Sequence, residues 1–336
     1  MRKLKTTEAT GEILFHDLTA ILASGQKGVR FRRGHKIEAE DIPVLLAMGK
    51  DHVFVNSDDK TLIHEEDAIA RVLEVAIDEN LYLQPPAEGK IEVKAKVAGV
   101  FCVNEQALHE INNIAEYTLV TLPDKFAVST EQTVVGGRIV PLVAKDEVVD
   151  KAVRLASQSY PLFRLLPYQC LKVGIVITGN EIFHGRIQDA FEPILRHKLQ
   201  KYPAEICGVT VCPDDVEVIE RAVKGYLEAG ANIVLMTGGM SVDPDDVTPT
   251  VIRKMSDRFL FQGVPIQPGN MLTVGYLGDS VLVGVPGASM HSPFTSLDIL
   301  LPWIFAKMSF DAKTWQKLGL GGLSICQMWH IFNSKE

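Results

Sequence analysis

The sequence predicts an α/β protein, a doubly wound and mostly parallel sheet preceded by a smaller α+β region. Two observations carry that prediction. In the second half, short apolar, β-branched runs alternate with helical patterns, as parallel strands joined by right-handed crossovers do. Three of those runs are followed directly by glycine-rich polar loops. At about 150 residues per domain, 336 residues suit two domains with a small further unit. The expected boundaries are 1–86, 87–168, 169–310 and a tail, 311–336.

In chain order, GEILFHDLTAI alternates apolar and polar residues and reads as a strand or extended entry segment. A basic cluster follows, Lys27, Arg30, Arg32, Arg33, His35 and Lys36, a solvated face or a place for an anion or partner. Asp41 stands at a helix start that runs to Met48 and stops at Gly49. His52 to Asn56 is a short strand, and Glu65 to Asn80 an amphipathic helix with Ala68, Val72, Val75 and Ala76 on one face. KIEVKAKV has period two, Asn104 can cap a helix, and Gly136-Gly137 reads as a turn into RIVPLVA. A helix over Glu147 to Ser157 leads to a connector with Pro161 and Pro167.

The later elements are KVGIVIT, a helix from Phe191 to Tyr202, EICGVTV, a helix from Val216 to Glu228, and ANIVLMT. A helix from about Pro249, the strand SVLVGV and a helix through Leu300 complete the series. Continuous apolar runs suit strands covered on both faces.

Composition excludes several classes. Hydrophobic residues at 46% and charged residues at 23% are those of an ordinary globular protein, which can build a core without disulfides or metal. The net charge of −8 argues against a nucleic-acid-binding surface. The start of the chain lacks the apolar core of a signal peptide. Val281 to Phe305 is interrupted by Pro286, His291, Pro293, Asp298 and Pro302, so no membrane span is expected. Five scattered cysteines fit a reducing cytoplasm. Cys207 and Cys212 are expected to be buried beside a strand, and Cys326 with His330 lacks enough partners for zinc.

Ligands of parallel sheets bind outside the carboxyl ends of the strands, so the three loops carry the functional reading. In Thr237-Gly238-Gly239-Met240-Ser241, the glycines let backbone N–H groups approach an anion. Asp243, Asp245 and Asp246 follow, and Thr248-Pro249 reads as an N-cap and first helical residue. A phosphate cradle beside carboxylates suits a Mg²⁺-assisted site, because the metal bridges two negative groups. An acidic solvated turn is the plainer alternative. The second loop holds Thr178, Gly179, Asn180 and Glu181, then His184 and Asp189, which could equally serve the following helix dipole. The third is Gly284 to Ser289, with Pro286 and Gly287, and Pro268-Gly269 supplies one further wall.

These motifs, TGNEIFHGRIQD, TGGMSVDPDDVTP, PIQPGN and GVPGAS, resemble in order and spacing the molybdopterin-binding (MoeA/MogA-type) domain of molybdenum cofactor biosynthesis. The upstream segments GEILFHDLTAI and RRGHKIEAEDIPVLLAMGKDHVFV are similar to the opening of the molybdopterin molybdotransferases. The chain resembles a shortened member of that family, with no room after Lys307 for its usual C-terminal β domain.

The resemblance implies molybdopterin or adenylyl-molybdopterin as ligand, and in the transferases a Mg²⁺-dependent insertion of molybdate. It places Asp189 and Asp246 at catalytic and metal positions. It places Thr178, Gly179, Asn180, Glu181, Thr237, Gly238, Gly239, Ser241, Thr248, Pro268, Gly269, Pro286 and Gly287 on the ligand. It also implies a cytoplasmic homo-oligomer that contacts neither nucleic acid nor membrane. Three departures stand out. Asn180 replaces an aspartate, Asn270-Met271 replaces Lys-Pro, and Ala288-Ser289 replaces Asn-Pro. Loss of the lysine removes a positive partner for a phosphate. Two alternatives share the motifs, a competence-damage (CinA-type) metal-dependent nucleotide pyrophosphatase and a non-catalytic cofactor carrier.

Overall fold

A computed structural model describes residues 1–21, 27–56, 61–240 and 246–323. The chain divides into two compact units, Met1–Leu165 and Leu166–Glu336.

The first unit is built from small antiparallel sheets. Arg2–Lys5 pairs with His52–Val55, and Leu18–Ile21 with Lys27–Phe31. Around them Leu14, Phe31, Ile37, Leu45 and Val55 close a core. The helix at Asp41–Ala47 ends where Gly49 takes φ +72°, as its sequence predicts. The next helix, Glu65–Glu74, is shorter than its apolar stripe suggests. Asp78 ends it beyond Val75, accepting from the amides of Asn80 and Leu165. Asn104 does cap Glu105–Asn112, accepting from the Ala107 amide.

Gly136 and Gly137 are not a turn but the middle of the strand Thr133–Ile139, between Ile91–Ala95 and Tyr117–Thr121. A Cβ on Gly137 would stand 2.9 Å from Ile69 and Leu119, so the glycine lets a helix lie close on the sheet. The region of Pro161 and Pro167 is likewise a strand in part, Phe163–Pro167.

In the second unit strands are numbered β1–β6 and helices α1–α6. The order is β1 Leu171–Thr178, α1 Asn180–Phe183, α2 Phe191–Leu199, β2 Ala204–Cys212, α3 Val216–Glu228, β3 Ile233–Thr237 and α4 Thr248–Met255. It continues with β4 Arg258–Gln262, β5 Thr273–Leu277, β6 Ser280–Gly284, α5 Ser296–Phe305 and α6 Ala312–Lys317. One six-stranded sheet runs in the order β2-β1-β3-β6-β5-β4. The first four are parallel, and β5 is antiparallel to both β6 and β4. That mixed sheet is the expected α/β fold with an antiparallel edge that the sequence pattern does not show. Val173, Ile175, Ile233, Leu235 and Val283 are fully buried, as strands covered on both faces require.

Asp215 caps α3 through the amides of Glu217 and Val218. β2 is an edge strand, so Cys212 is buried but Cys207 is exposed, contrary to expectation. The segment expected as a tail carries α6, capped by Asp311, with Trp315 buried against Trp303 and Phe261. No helix among the described residues is long and apolar enough to cross a membrane.

Candidate ligand-binding site

The carboxyl ends of β1, β3 and β6 lie side by side, with Ile177 opposite Thr237 and Met236 opposite Gly284. The three loops leaving them enclose a cavity of about 570 Å³. Thr178, Glu181 and Asp189 come from the first loop, Gly238, Gly239 and Asp246 from the second, and Gly287 from the third. The structure therefore brings both predicted aspartates to one cavity.

The second loop is held to the first by its backbone. Gly238 takes φ +84°, and a Cβ there would collide with the Thr178 carbonyl. Gly239 also has a positive φ, +51°. Among the described residues, no oxygen accepts from the amides of Gly239 or Met240. Thr248 is not the N-cap of α4 but its first residue, preceded by Val247. Its buried hydroxyl donates to the Gly238 carbonyl at 2.8 Å and lies 3.3 Å from the Thr178 hydroxyl. Thr178 and Thr248 thus tie β1, the glycine pair and α4 together. Thr237 is fully buried, and among the described residues its hydroxyl has no hydrogen-bond partner. Ser241, Asp243 and Asp245 lie outside the described residues, as do Cys326 and His330.

In the first loop, Gly179 has φ +146° and precedes the single turn α1. Asn180 and Asp214 clasp each other: the Asn180 amide donates to the Asp214 carboxylate at 2.9 Å, and the Asp214 amide to the Asn180 side-chain oxygen at 3.3 Å. That exchange fixes the loop to the end of β2, a role the sequence does not announce. Asp189 accepts from the amides of Phe191 at 3.0 Å and Glu192 at 2.7 Å, so it anchors the start of α2. It still lines the cavity and retains lone pairs for a ligand. His184 is exposed against the Phe183 ring.

Pro268 and Gly269 do not reach the cavity. They sit at the start of α5, where Ser296 donates its amide to the Pro268 carbonyl and its hydroxyl to the Gly269 carbonyl. Met271 of the same segment lines the cavity instead, and Pro286, within the third loop, is buried and does not line it. The apolar lining from Ile182, Ile187, Phe191, Met240 and Met290 was also missed. These side chains come from loops, single turns and the first residue of a helix, stretches too short for a periodicity to mark a buried face.

The electrostatics are one-sided. Glu181, Asp189 and Asp246 line the cavity, and its described lining includes no lysine or arginine. No group of three or more metal-ligating side chains occurs among the described residues. The apolar walls, convergent polar groups and volume are those of a small-molecule site.

Residues 174–305 match the family model described as "Probable molybdopterin binding domain", and residues 3–57 match a domain of unknown function. A molybdopterin molybdenumtransferase of Haemophilus influenzae is 28% identical over 185 residues, 51% of this chain and 45% of that protein. A CinA-like protein of Mycobacterium tuberculosis is 33% identical over 89 residues, 26% of this chain and 21% of that protein. The chain thus spans less than half the length of these curated relatives. Among solved structures, the molybdopterin biosynthesis enzyme MoaB of Thermus thermophilus is 19% identical. It covers 49% of this chain and 98% of its own, with a TM-score of 0.33.

Proposed function

With residues 174–305 as a molybdopterin-binding domain of molybdenum cofactor biosynthesis, we propose that the loop cavity binds molybdopterin or its adenylyl form and supports Mg²⁺-dependent molybdate insertion. The carrying observation is that glycine amides and three carboxylates line one cavity whose described residues offer no cation. Backbone N–H groups would receive an anionic ligand there, and a divalent ion bound with its phosphate would offset the carboxylate charge. Mg²⁺ suits the donor set, because one or two carboxylates complete its shell with water and substrate phosphate. Asp246 and Asp189 would hold it, and it would neutralise charge between ligand and protein.

The chain's own residues do the rest. Gly238 and Gly239 admit the ligand to the backbone, and Thr248 fixes their carbonyl side. Ile182, Ile187 and Met290 give a flat ring system an apolar wall. A cytoplasmic site suits so oxidisable a ligand.

The test uses the full chain and added molybdopterin, read by the fluorescence of its oxidised form. We expect saturable binding that weakens about tenfold with EDTA and with Asp246→Ala. Gly238→Ala should abolish binding, because the added methyl clashes and its φ is left-handed. Absence of pterin binding overturns the proposal. The similarity to CinA-like proteins favours a second reading. Metal-dependent release of AMP from a dinucleotide without pterin affinity would establish it. Tight pterin binding without turnover of the adenylyl form would instead mark a carrier.

A further inference from the structure

A second cavity, of about 610 Å³, lies beside the first and shares Met290 with it. Its walls come from α2 with the turn after it, from the 3-10 turn Gly287–Met290 with the segment that follows, and from Asp298 of α5. On the α2 side Ile194 and His197, three residues apart in the helix, share a face, and Lys201 joins them from the turn just beyond the helix's last residue, Leu199. His291 and Ser292 stand on the other side.

The charge balance there is opposite to that of the first cavity. Asp298 is the one carboxylate in the described lining, and Lys198 already occupies both of its oxygens, at 2.7 and 2.8 Å. The remaining contact of that ammonium, 2.9 Å, is to the Pro293 carbonyl. Among the described residues, no carboxylate pairs with Lys201, His197 or His291. A protein of net charge −8 therefore keeps one uncompensated ammonium and two imidazoles around a single recess. Each imidazole offers at least one N–H donor in either protonation state, and Ser292 adds a hydroxyl. A helix C-terminus also attracts basic residues, but it does not account for His291, which comes from a different element.

We infer that this second cavity is a binding site for a tetrahedral oxyanion of the phosphate type. Lys201 supplies the charge, and His197, His291 and Ser292 supply donors from two sides. The site does not depend on what the first cavity binds. Lys198 serves the walls, since its pairing with Asp298 holds the segment that carries His291.

The test is a titration of the full chain with inorganic phosphate at low ionic strength, where surface charge is least screened. Imidazole proton resonances report the site. We expect saturable binding that shifts the His197 and His291 signals. Lys201→Glu should weaken it by about tenfold or more, and Lys201→Arg by no more than about twofold. All three side chains are exposed, so these variants should fold. AMP in place of phosphate distinguishes the source of the group. Tighter AMP binding with the same dependence on Lys201 assigns the phosphate of a larger molecule, and equal or weaker binding assigns a free oxyanion. Phosphate affinity indifferent to Lys201→Glu, or no saturation by about 20 mM, overturns the inference. Pterin binding by the first cavity would stand in either case.

Discussion

Two charged clusters, one in each unit, solve the same problem in opposite ways. In the second unit Lys198 and Asp298 are about nine-tenths buried and bonded directly to each other. Asp298 also accepts from the amide and hydroxyl of Thr295, whose hydroxyl lies 3.1 Å from that of Ser289. In the first unit Arg33 is about one-third exposed and is shared between Asp67 at 2.7 Å and Glu66 at 3.2 Å. Beside it lies a recess of about 180 Å³ that also includes His64 and Arg71. There each guanidinium has a carboxylate, Arg71 with Asp146 at 3.4 Å. The basic cluster that looked available in the sequence is thus partly spent, with His35 also on Asp41 at 2.7 Å. Charge that its neighbours cancel is structure, whereas charge left uncancelled around a cavity is available to a ligand.

The largest effect should come from breaking the buried pair. Asp298→Ala leaves an ammonium with one carbonyl and no counter-charge, which costs about 3–5 kcal/mol. Urea unfolding of the full chain measures it, and the paired replacement Lys198→Met with Asp298→Leu should recover most of the loss. If Asp298→Ala costs no more than a surface pair, the contrast between the clusters fails.

Next in size is the pH dependence of the first unit. Burial first, then the nearby Arg33, lower the His64 pKa from the ordinary 6.5 to about 4. The unfolded chain therefore binds a proton that the folded chain does not. The stability from neutral His64 is fully present above about pH 6.5 and is lost as pH falls toward 4, a change of up to about 3 kcal/mol. His64→Leu should flatten that part of the profile, and an unchanged profile would show that His64 is not its source.

The smallest effect sharpens the comparison from the other side. Arg33→Ala removes half-screened ion pairs and should cost about 1 kcal/mol or less, diminishing further in high salt. A loss as large as that of Asp298→Ala would mean that exposure does not separate the two clusters.

Legibility in the sequence followed the range of the interactions. The strand Leu171–Thr178 and the helix Val216–Glu228 emerge nearly as read, because apolar runs and the Asp215 cap are local signals. The loops Thr178–Glu181 and Thr237–Gly239 were found because glycine after a strand is also local. Thr248 was misread, because a threonine before proline caps a helix by default, whereas here its hydroxyl crosses to Gly238. Pro268 and Gly269 looked like a ligand wall until α5 was seen to use their carbonyls. The edge strand Arg258–Gln262 and its neighbour Thr273–Leu277 pair antiparallel through a register that no single segment encodes.

By itself, then, the sequence determined the alternation of strands and helices, the three glycine loops and the excess of acid over base. These depend on residue type and spacing within a few positions. The tertiary structure decided which polar groups remain open. Asn180 is taken by Asp214 and Lys198 by Asp298, across 34 and 100 residues of chain, whereas Lys201 meets no carboxylate among the described residues. Whether a charge is cancelled depends on what folds against it, and that partner is set by the packing of distant elements.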